Sequence, residues 1–260
     1  MMTVNLMNLK PYARFAYAQV PGVARARFAL MDLTAAYFSK PEYEGAIWPV
    51  KPDGLIIDIG ANRGQSVSAF RRYRPQSEIA AFEPQPGSAE RLKARFRRDP
   101  SVSVFGCALG ATPGSITFFV PSYGHWGCDG MAATSREAAT DWLSDPGRMY
   151  RFDNAKLVVK EHHVECRTLD SFAMSPSLIK VHAQGCELEI LQGSQHTMRQ
   201  HSPALMCAFA SHQISHFVSD FGYRPYTFDR GRFVPGLAQR PVTFTWYLTD
   251  HHLRLAPAAP

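Results

Sequence analysis

The sequence lacks the segments that place a protein in or across a membrane. No apolar run in its 260 residues approaches the length of a membrane-spanning helix, which needs about 20 such residues. The first residues do not combine a charged start with a purely apolar core, as a secretory signal does. We therefore expect a cytoplasmic protein with no membrane partner.

Cysteine is sparse, and its spacing excludes the C-x-x-C pairs of zinc and redox motifs. An odd number of cysteines without a secretory signal favours reduced thiols over a disulfide framework. The five residues are Cys107, Cys128, Cys166, Cys186 and Cys207.

Charged residues make up only 19% of the chain, against 45% for hydrophobic residues. This balance is typical of a globular protein, and the length suffices for one well-buried domain. The net charge of +6 permits an anionic partner. Much of the excess lies at residues 71–74 and 91–98, in predicted helices with a solvated outer face, so nucleic acid is disfavoured. Composition leaves the oligomeric state open, a homodimer included.

The hydrophobic pattern divides the chain into an N-terminal extension over residues 1–50 and a main domain over residues 51–260. The extension is predicted to form two helices separated by Pro21-Gly22, the second over Val23–Phe38, as a cap on the main domain. In the main domain, short buried strands alternate with helices, which indicates parallel β-α-β units and a twisted, mostly parallel sheet. The predicted buried strands are Leu55–Ile59, Glu78–Phe82, Val102–Phe105, Leu178–Val181 and Ala204–Phe209.

Other segments predict antiparallel strands and helices around that sheet. An antiparallel strand is expected at Gly114–Val120, an edge strand at Leu157–Cys166, and one continuous helix from Cys186 to Gln200. Closing antiparallel strands are expected at Gly222–Tyr226 and Thr243–Leu248.

A nucleotide site is indicated where the first predicted strand ends, at D-I-G-A-N-R-G-Q over residues 58–65. Gly60 and Gly64 suit a sharp strand-to-helix turn with close backbone approach. The pattern lacks the second glycine of G-x-G-x-x-G, because Asn62 stands in its place. Asp58 suits the cationic amino-acid end of S-adenosylmethionine better than a diphosphate, and Glu83, ending the second strand, suits ribose hydroxyls. The alternative is that both acids merely cap strand ends.

A series of motifs in order resembles the FkbM family of S-adenosylmethionine-dependent methyltransferases from about residue 50 onward. After D-I-G-A-N-x-G-Q come A-F-E-P-x-P, C-A-L-G, R-T-L-D at Arg167–Asp170, and I-K-V-x-x-x-G-x-E-x-x-x-L-x-G-S over residues 179–194. The resemblance implies a Rossmann-like class I methyltransferase fold. It also implies that S-adenosylmethionine is bound by Asp58, Gly60, Asn62, Gly64, Gln65, Glu83, Pro84, Cys107 and Ala108.

The expected reaction centre departs from that family's pattern. Family members commonly have acids at the positions of His182 and Gln184 and near Ala208, whereas Lys180 and Glu187 are kept. Without those carboxylates a magnesium or calcium shell is not expected, so we predict no metal.

Two interpretations of the altered segment stay open. In one, His182 is a general base and Gln184 orients the acceptor, with Lys180 and Glu187 completing the catalytic set. In the other, the site has decayed or been rebuilt, and His182 only ends the strand.

Two other features are weaker candidates. His212 and His216 are four apart on a predicted helix, a spacing that can bind zinc, but a surface pair is favoured. The loop from Tyr123 to Gly130 is either an acceptor lid or an ordinary hairpin connection.

The sequence thus predicts a methyltransferase that methylates a hydroxyl of a small metabolite or natural-product intermediate. Methyl transfer depends largely on alignment with an already electrophilic cofactor, so missing acids do not exclude it. The alternatives are a non-methylating use of the cofactor that releases methylthioadenosine, and a catalytically silent binding protein.

Overall fold

The structure is a computed structural model that describes residues 10–38, 41–49, 51–145, 147–239 and 243–255. The chain divides into two compact units. One combines Met1–Met31 with Thr117–His163, and the other combines Asp32–Ile116 with Val164–Pro260, each over its described residues. These units divide the chain elsewhere than at residue 50, and a domain boundary at that residue stays a prediction.

Twelve strands and nine helices are assigned within the described ranges. The strands are β1 (Leu55–Ile59), β2 (Ile79–Phe82), β3 (Val102–Phe105), β4 (Ala108–Leu109), β5 (Gly114–Tyr123), β6 (Trp126–Gly127), β7 (Leu157–Arg167), β8 (Pro176–Val181), β9 (Ala204–Cys207), β10 (Arg224–Asp229), β11 (Arg232–Pro235) and β12 (Thr245–Leu248). The helices are α1 (Lys10–Gln19), α2 (Val23–Tyr37), α3 (Gln65–Tyr73), α4 (Pro86–Phe96), α5 (Arg136–Ser144), α6 (Glu187–Gln192), α7 (Gln195–His201), α8 (His212–Ser219) and α9 (Asp250–Leu255).

The two predicted N-terminal helices are confirmed over their described residues as α1 and α2. They are separated at Pro21-Gly22, where Gly22 adopts a φ of 85°, a left-handed conformation that favours glycine. Residues 1–9, 39 and 40 of the predicted extension lie outside the described residues. No described helix is both long enough and apolar enough to be a membrane-spanning segment.

The larger sheet has the order β11-β10-β12-β9-β8-β1-β2-β3. Neighbouring strands from β9 through β3 are parallel, while β12 runs antiparallel to both β9 and β10. This confirms the predicted α/β arrangement with antiparallel closing strands. Strand β1 lies in the middle of the five parallel strands, and its apolar residues Ile56 and Ile57 are fully buried, as is typical of strands covered on both faces.

One closing strand was not predicted. Strand β11 pairs with β10 through a two-residue turn at Arg230-Gly231, whose φ angles are 49° and 82°. Two positive φ values in succession are typical of the tight hairpin turn that matches strand twist. Arginine in the first position is unusual there, which is why the sequence carried little signal for this turn.

The smaller sheet has the order β4-β7-β5-β6. The edge position predicted for Leu157–Cys166 is wrong, because β7 lies between β4 and β5. The loop that follows β5 is a hairpin turn: Tyr123 pairs with Trp126 across it, and both side chains are buried in the core of the smaller unit. Those two rings are therefore core residues, and the hairpin interpretation is favoured over a lid.

The single helix predicted from Cys186 to Gln200 is instead two helices, α6 and α7, separated at Gly193-Ser194. Both oxygens of the Asp170 carboxylate accept hydrogen bonds from the first turn of α7, at 2.9 Å from the His196 nitrogen and 2.8 Å from the Thr197 nitrogen. A β-carbon built on Gly193 would lie 2.0 Å from the carbonyl oxygen of Gly110. Tertiary packing thus breaks a segment that has helical periodicity throughout.

We predict that Gly193→Ala destabilises the protein by about 1–3 kcal/mol, because the methyl group would overlap a backbone oxygen that cannot rotate away. Urea unfolding should show a lower midpoint with an unchanged slope. The control is Gly114→Ala, where a β-carbon meets nothing within 4 Å. Equal midpoints for the two variants would contradict the prediction.

Candidate active site

The predicted site residues lie in the last residues of β1 and β8 or shortly after β1, β2, β3 and β8, all in the larger unit. Strand β1 pairs with β2 on one side and with β8 on the other. The chain adds β2 and β3 on one side of β1 and later adds β8 and β9 on the other, so the strand order reverses at β1. In open α/β sheets the ligand crevice lies at such a point, beyond the carboxyl ends of the strands. The topology therefore places the predicted cofactor residues and the predicted reaction centre at one edge of the same sheet.

A buried ion pair lies beneath this edge. Lys180 on β8 and Asp58 on β1 are register partners, with 2.8 Å between Nζ and Oδ1, and both side chains are almost completely buried. The other Asp58 oxygen accepts a hydrogen bond from Ser66 Oγ at 2.5 Å. Lys180 and Ser66 thus hold the Asp58 carboxylate, while its Oδ1 has no hydrogen-bond partner among the described residues. The role of Asp58 in binding a cofactor stays a prediction.

The ammonium of Lys180 contacts groups of strand β1 and the residue that follows it. Besides Asp58, its ammonium donates to the carbonyl oxygens of Ile59 at 3.1 Å and of Gly60 at 3.0 Å. Two of the three donors of the ammonium are therefore used at the end of β1, and Asp58 lies beside it as the ion-pair partner. This geometry shows that Lys180 holds the end of β1. Its predicted catalytic role stays a prediction.

The two predicted glycines are required by the turn after β1. Gly60 has a φ of 72°, and a β-carbon there would lie 2.0 Å from the carbonyl oxygen of His182. Gly64 has a φ of 77°, and a β-carbon there would lie 2.5 Å from Phe96. The absence of a side chain lets Gly60 approach the residue after β8 and lets Gly64 approach α4. The turn therefore packs closely against both.

Glu83 ends β2 and is buried against the same turn. Its Oε2 accepts a hydrogen bond from the Asn62 nitrogen at 2.7 Å, and its Oε1 accepts one from the Gln85 nitrogen at 3.0 Å. Burial raises the pKa of this carboxyl, and the two backbone hydrogen bonds act in the opposite direction. Each oxygen keeps a further lone pair, so Glu83 can still accept hydrogen bonds from ribose hydroxyls.

The polar atoms at this edge fit the sugar and amino groups of S-adenosylmethionine. Asn62 Oδ1 is buried, and no donor among the described residues makes a hydrogen bond to it. A buried acceptor without a partner is costly, and a hydroxyl or amino donor of a ligand would satisfy it. Asn62 Oδ1 and the two Glu83 oxygens are all acceptors. They therefore suit a ligand group that carries several hydrogen-bond donors.

The remaining predicted cofactor residues border the same edge. Gln65 begins α3, whose N-terminus carries no side-chain cap, and Pro84 lies half-buried between Glu83 and the capping residue Gln85. Cys107 is buried after β3, and burial raises the pKa of its thiol. Ala108 begins β4 and pairs with Cys166. Their roles in binding a cofactor stay predictions.

The segment after β8 is held by a buried carboxylate. Glu187 accepts hydrogen bonds from the Ala183 nitrogen at 2.7 Å and from the Gly185 nitrogen at 2.9 Å. Burial raises the pKa of this carboxyl, against the effect of the backbone hydrogen bonds. Gln184 has a left-handed φ of 56°, and Gly185 one of 108°. Glu187 thus shapes this turn, and its predicted catalytic role stays a prediction.

His182 contacts two aromatic rings that the sequence did not single out. Its ring centroid lies 5.5 Å from that of Phe209, just beyond β9, and 5.9 Å from that of Phe244, just before β12. Phe209 adopts a φ of 50°, a strained conformation for an aromatic residue. In the sequence Phe209 only extends an apolar run, so no local signal distinguishes it.

Among the residues the structure describes, no three metal-ligating side chains are grouped so that they could hold an ion. His212 and His216 are both exposed on α8, as the surface interpretation predicted.

Comparison with known proteins identifies relatives over the same segment. The methyltransferase FkbM domain model matches residues 58–230. The 2-O-methyltransferase NoeI of Sinorhizobium fredii is 28% identical over 158 residues, which cover 57% of this chain and 60% of that protein. Methyltransferase 1 of Beauveria bassiana is 28% identical over 156 residues, which cover 56% and 60%. The chain thus spans about 60% of the length of these curated relatives.

Among solved structures, the methyltransferase FkbM from Methylobacillus flagellatus aligns with a TM-score of 0.49 and 14% identity, over 75% of this chain and 43% of that chain.

The family model covers more than half of the 260 residues and begins at Asp58, the first residue of the predicted cofactor motif. The strand order, with an antiparallel strand between two parallel ones, agrees with the Rossmann-like class I methyltransferase fold that was predicted. The predicted cofactor, S-adenosylmethionine, is that of such domains. The chain therefore belongs to the FkbM methyltransferase family.

Proposed function

We propose that this protein transfers a methyl group from S-adenosylmethionine to a hydroxyl group of a small metabolite. The observation that carries the proposal is the Glu83 carboxylate with the unpaired Asn62 oxygen beside it, at the point where strand order reverses. The name of one relative, a 2-O-methyltransferase, supports an oxygen acceptor. The acceptor class is therefore proposed as a hydroxyl, ahead of an amine.

On the cofactor side of the site, some side chains hold the turn after β1, and others keep oxygen atoms that can accept hydrogen bonds from a ligand. Glu83 and Asn62 would bind the sugar and amino donors of S-adenosylmethionine, while Lys180 and Asp58 hold the turn from below. The sulfonium cofactor supplies an electrophilic methyl group. Because little further activation is needed, the protein acts mainly by aligning the acceptor oxygen with that methyl.

The acceptor half centres on His182. Its ring lies against the rings of Phe209 and Phe244, which limits its orientation. An imidazole can take a proton near neutral pH, so His182 would remove the hydroxyl proton as the methyl group transfers. Gln184, exposed in the turn beyond it, would orient the acceptor by hydrogen bonding.

We predict that Glu83→Gln raises the dissociation constant for S-adenosylhomocysteine about 10- to 100-fold. The ribose hydroxyls would lose a charged acceptor, and the amide would hold the backbone nitrogens of Asn62 and Gln85 less well. Calorimetric titration of purified protein measures this. Glu78→Gln, at an exposed position just before the same strand, is the matched control and should bind like the wild type. No binding by the wild type would remove the cofactor proposal.

We predict that His182→Ala lowers kcat about 100-fold or more, the usual contribution of a general base, with unchanged cofactor affinity. Turnover is measured as S-adenosylhomocysteine and methylated product over a panel of small hydroxyl compounds. His212→Ala, at an exposed position on α8, is the control. Near-wild-type turnover would exclude the base role, and methylthioadenosine without an acceptor would replace methyl transfer by another use of the cofactor.

We also propose that the reaction needs no divalent metal held by carboxylates in this segment. His182, Gln184 and Ala208 occupy the positions where the family pattern has acids, and they cannot supply the same hard oxygen shell. Turnover should be unchanged by EDTA. Loss of activity on chelation that magnesium alone restores would count against this proposal.

A further inference from the structure

Asp32 forms a two-point ion pair with Arg63 in the turn over residues 60–64, which we call the glycine turn. Asp32 on α2 accepts hydrogen bonds from Arg63, with 3.1 Å between Nε and Oδ1 and 2.7 Å between Nη2 and Oδ2. Each side chain is about three-quarters buried, at 23% and 22% exposure. A forked guanidinium–carboxylate contact of this kind fixes orientation as well as distance.

A second arginine joins the same carboxylate to helix α4. Arg95 donates to the Arg63 carbonyl oxygen at 2.5 Å, to the Asp32 carbonyl oxygen at 3.2 Å and to Ser68 Oγ at 3.0 Å. Its guanidinium lies 3.8 Å from the Asp32 carboxylate. Two guanidinium groups thus share one carboxylate, which offsets their mutual repulsion.

The residue held in this way lies inside the predicted cofactor motif. Arg63 is flanked by Asn62 and Gly64, whose φ angles of 45° and 77° are both left-handed. The Asn62 nitrogen donates to Glu83 Oε2. Any rotation of the backbone at Arg63 would therefore move the amide that contacts Glu83.

We infer that Asp32 is a positioning residue for cofactor binding: it holds Arg63 and, through it, the backbone that joins Asn62 to Glu83. The inference rests on the proposed use of S-adenosylmethionine. Asp32 lies outside residues 58–230, which match the family model, so this tether is not part of the matched domain.

The first test compares Asp32→Asn with the matched control Asp99→Asn. Asp99 forms an ion pair with Arg71 at 3.0 Å, at exposures of 28% and 24%, and this pair does not involve the glycine turn. Calorimetric titration with S-adenosylhomocysteine should give a dissociation constant raised about 5-fold or more for Asp32→Asn, and unchanged for Asp99→Asn. Asp32→Glu, which keeps the charge, should recover part of the affinity.

The binding stoichiometry separates positioning from loss of folded protein. A variant that is merely less stable would show fewer binding sites per chain with the wild-type dissociation constant, and that result would overturn the inference. An unchanged dissociation constant at full stoichiometry would overturn it as well.

A second measurement does not depend on the cofactor. Hydrogen exchange of the backbone amides at residues 60–64 should be faster in Asp32→Asn than in the wild type or in Asp99→Asn. If the wild type binds no S-adenosylhomocysteine but exchange changes in this way, the proposed function fails while the tether to the turn stands. If exchange is the same in all three proteins, the tether fails.

Discussion

The buried ion pair between Asp58 and Lys180 is the interaction on which the site depends. It joins the neighbouring strands β1 and β8 at the point where strand order reverses, and the same ammonium donates to the carbonyl oxygens of Ile59 and Gly60. Taking two charges out of water is expensive, and removing one partner of such a pair typically costs about 3–5 kcal/mol. Separating the two side chains would leave an unpaired buried charge. The pair therefore fixes the relative position of β1 and β8.

Three further carboxylates around the site bind protein groups before any ligand. Glu83 holds the turn after β1 and Glu187 holds the turn after β8, each through two backbone amides. Asp32 holds the first of these turns from outside, through Arg63. Both turns contain residues with left-handed φ angles, which persist only when surrounding contacts determine them. A site prepared in this way suits methyl transfer, where alignment of acceptor and methyl group supplies much of the rate.

The sequence predicted most of the strands of the parallel sheet, because each is a short apolar run next to a glycine, a proline or a polar turn. Strands β1 and β3 have the predicted bounds. The prediction was wrong for the segment after Gly185, where one helix was expected. Its periodicity is helical on both sides of Gly193, and only the Gly110 backbone and the Asp170 carboxylate, both distant in sequence, divide it.

For the site, the sequence by itself determined which residues follow the central strands, because a motif that ends a strand must lie at the edge where parallel strands end. It also showed that the acids expected near residues 182–184 and 208 are absent. Only the tertiary structure decided what each side chain does. Lys180 is 121 positions from the carbonyl of Ile59 that it binds, and no spacing rule connects them. Packing of the sheet brings distant segments together, so that Lys180 and Glu187 hold backbone groups, Asp58 is paired with Lys180, and His182 lies near two aromatic rings.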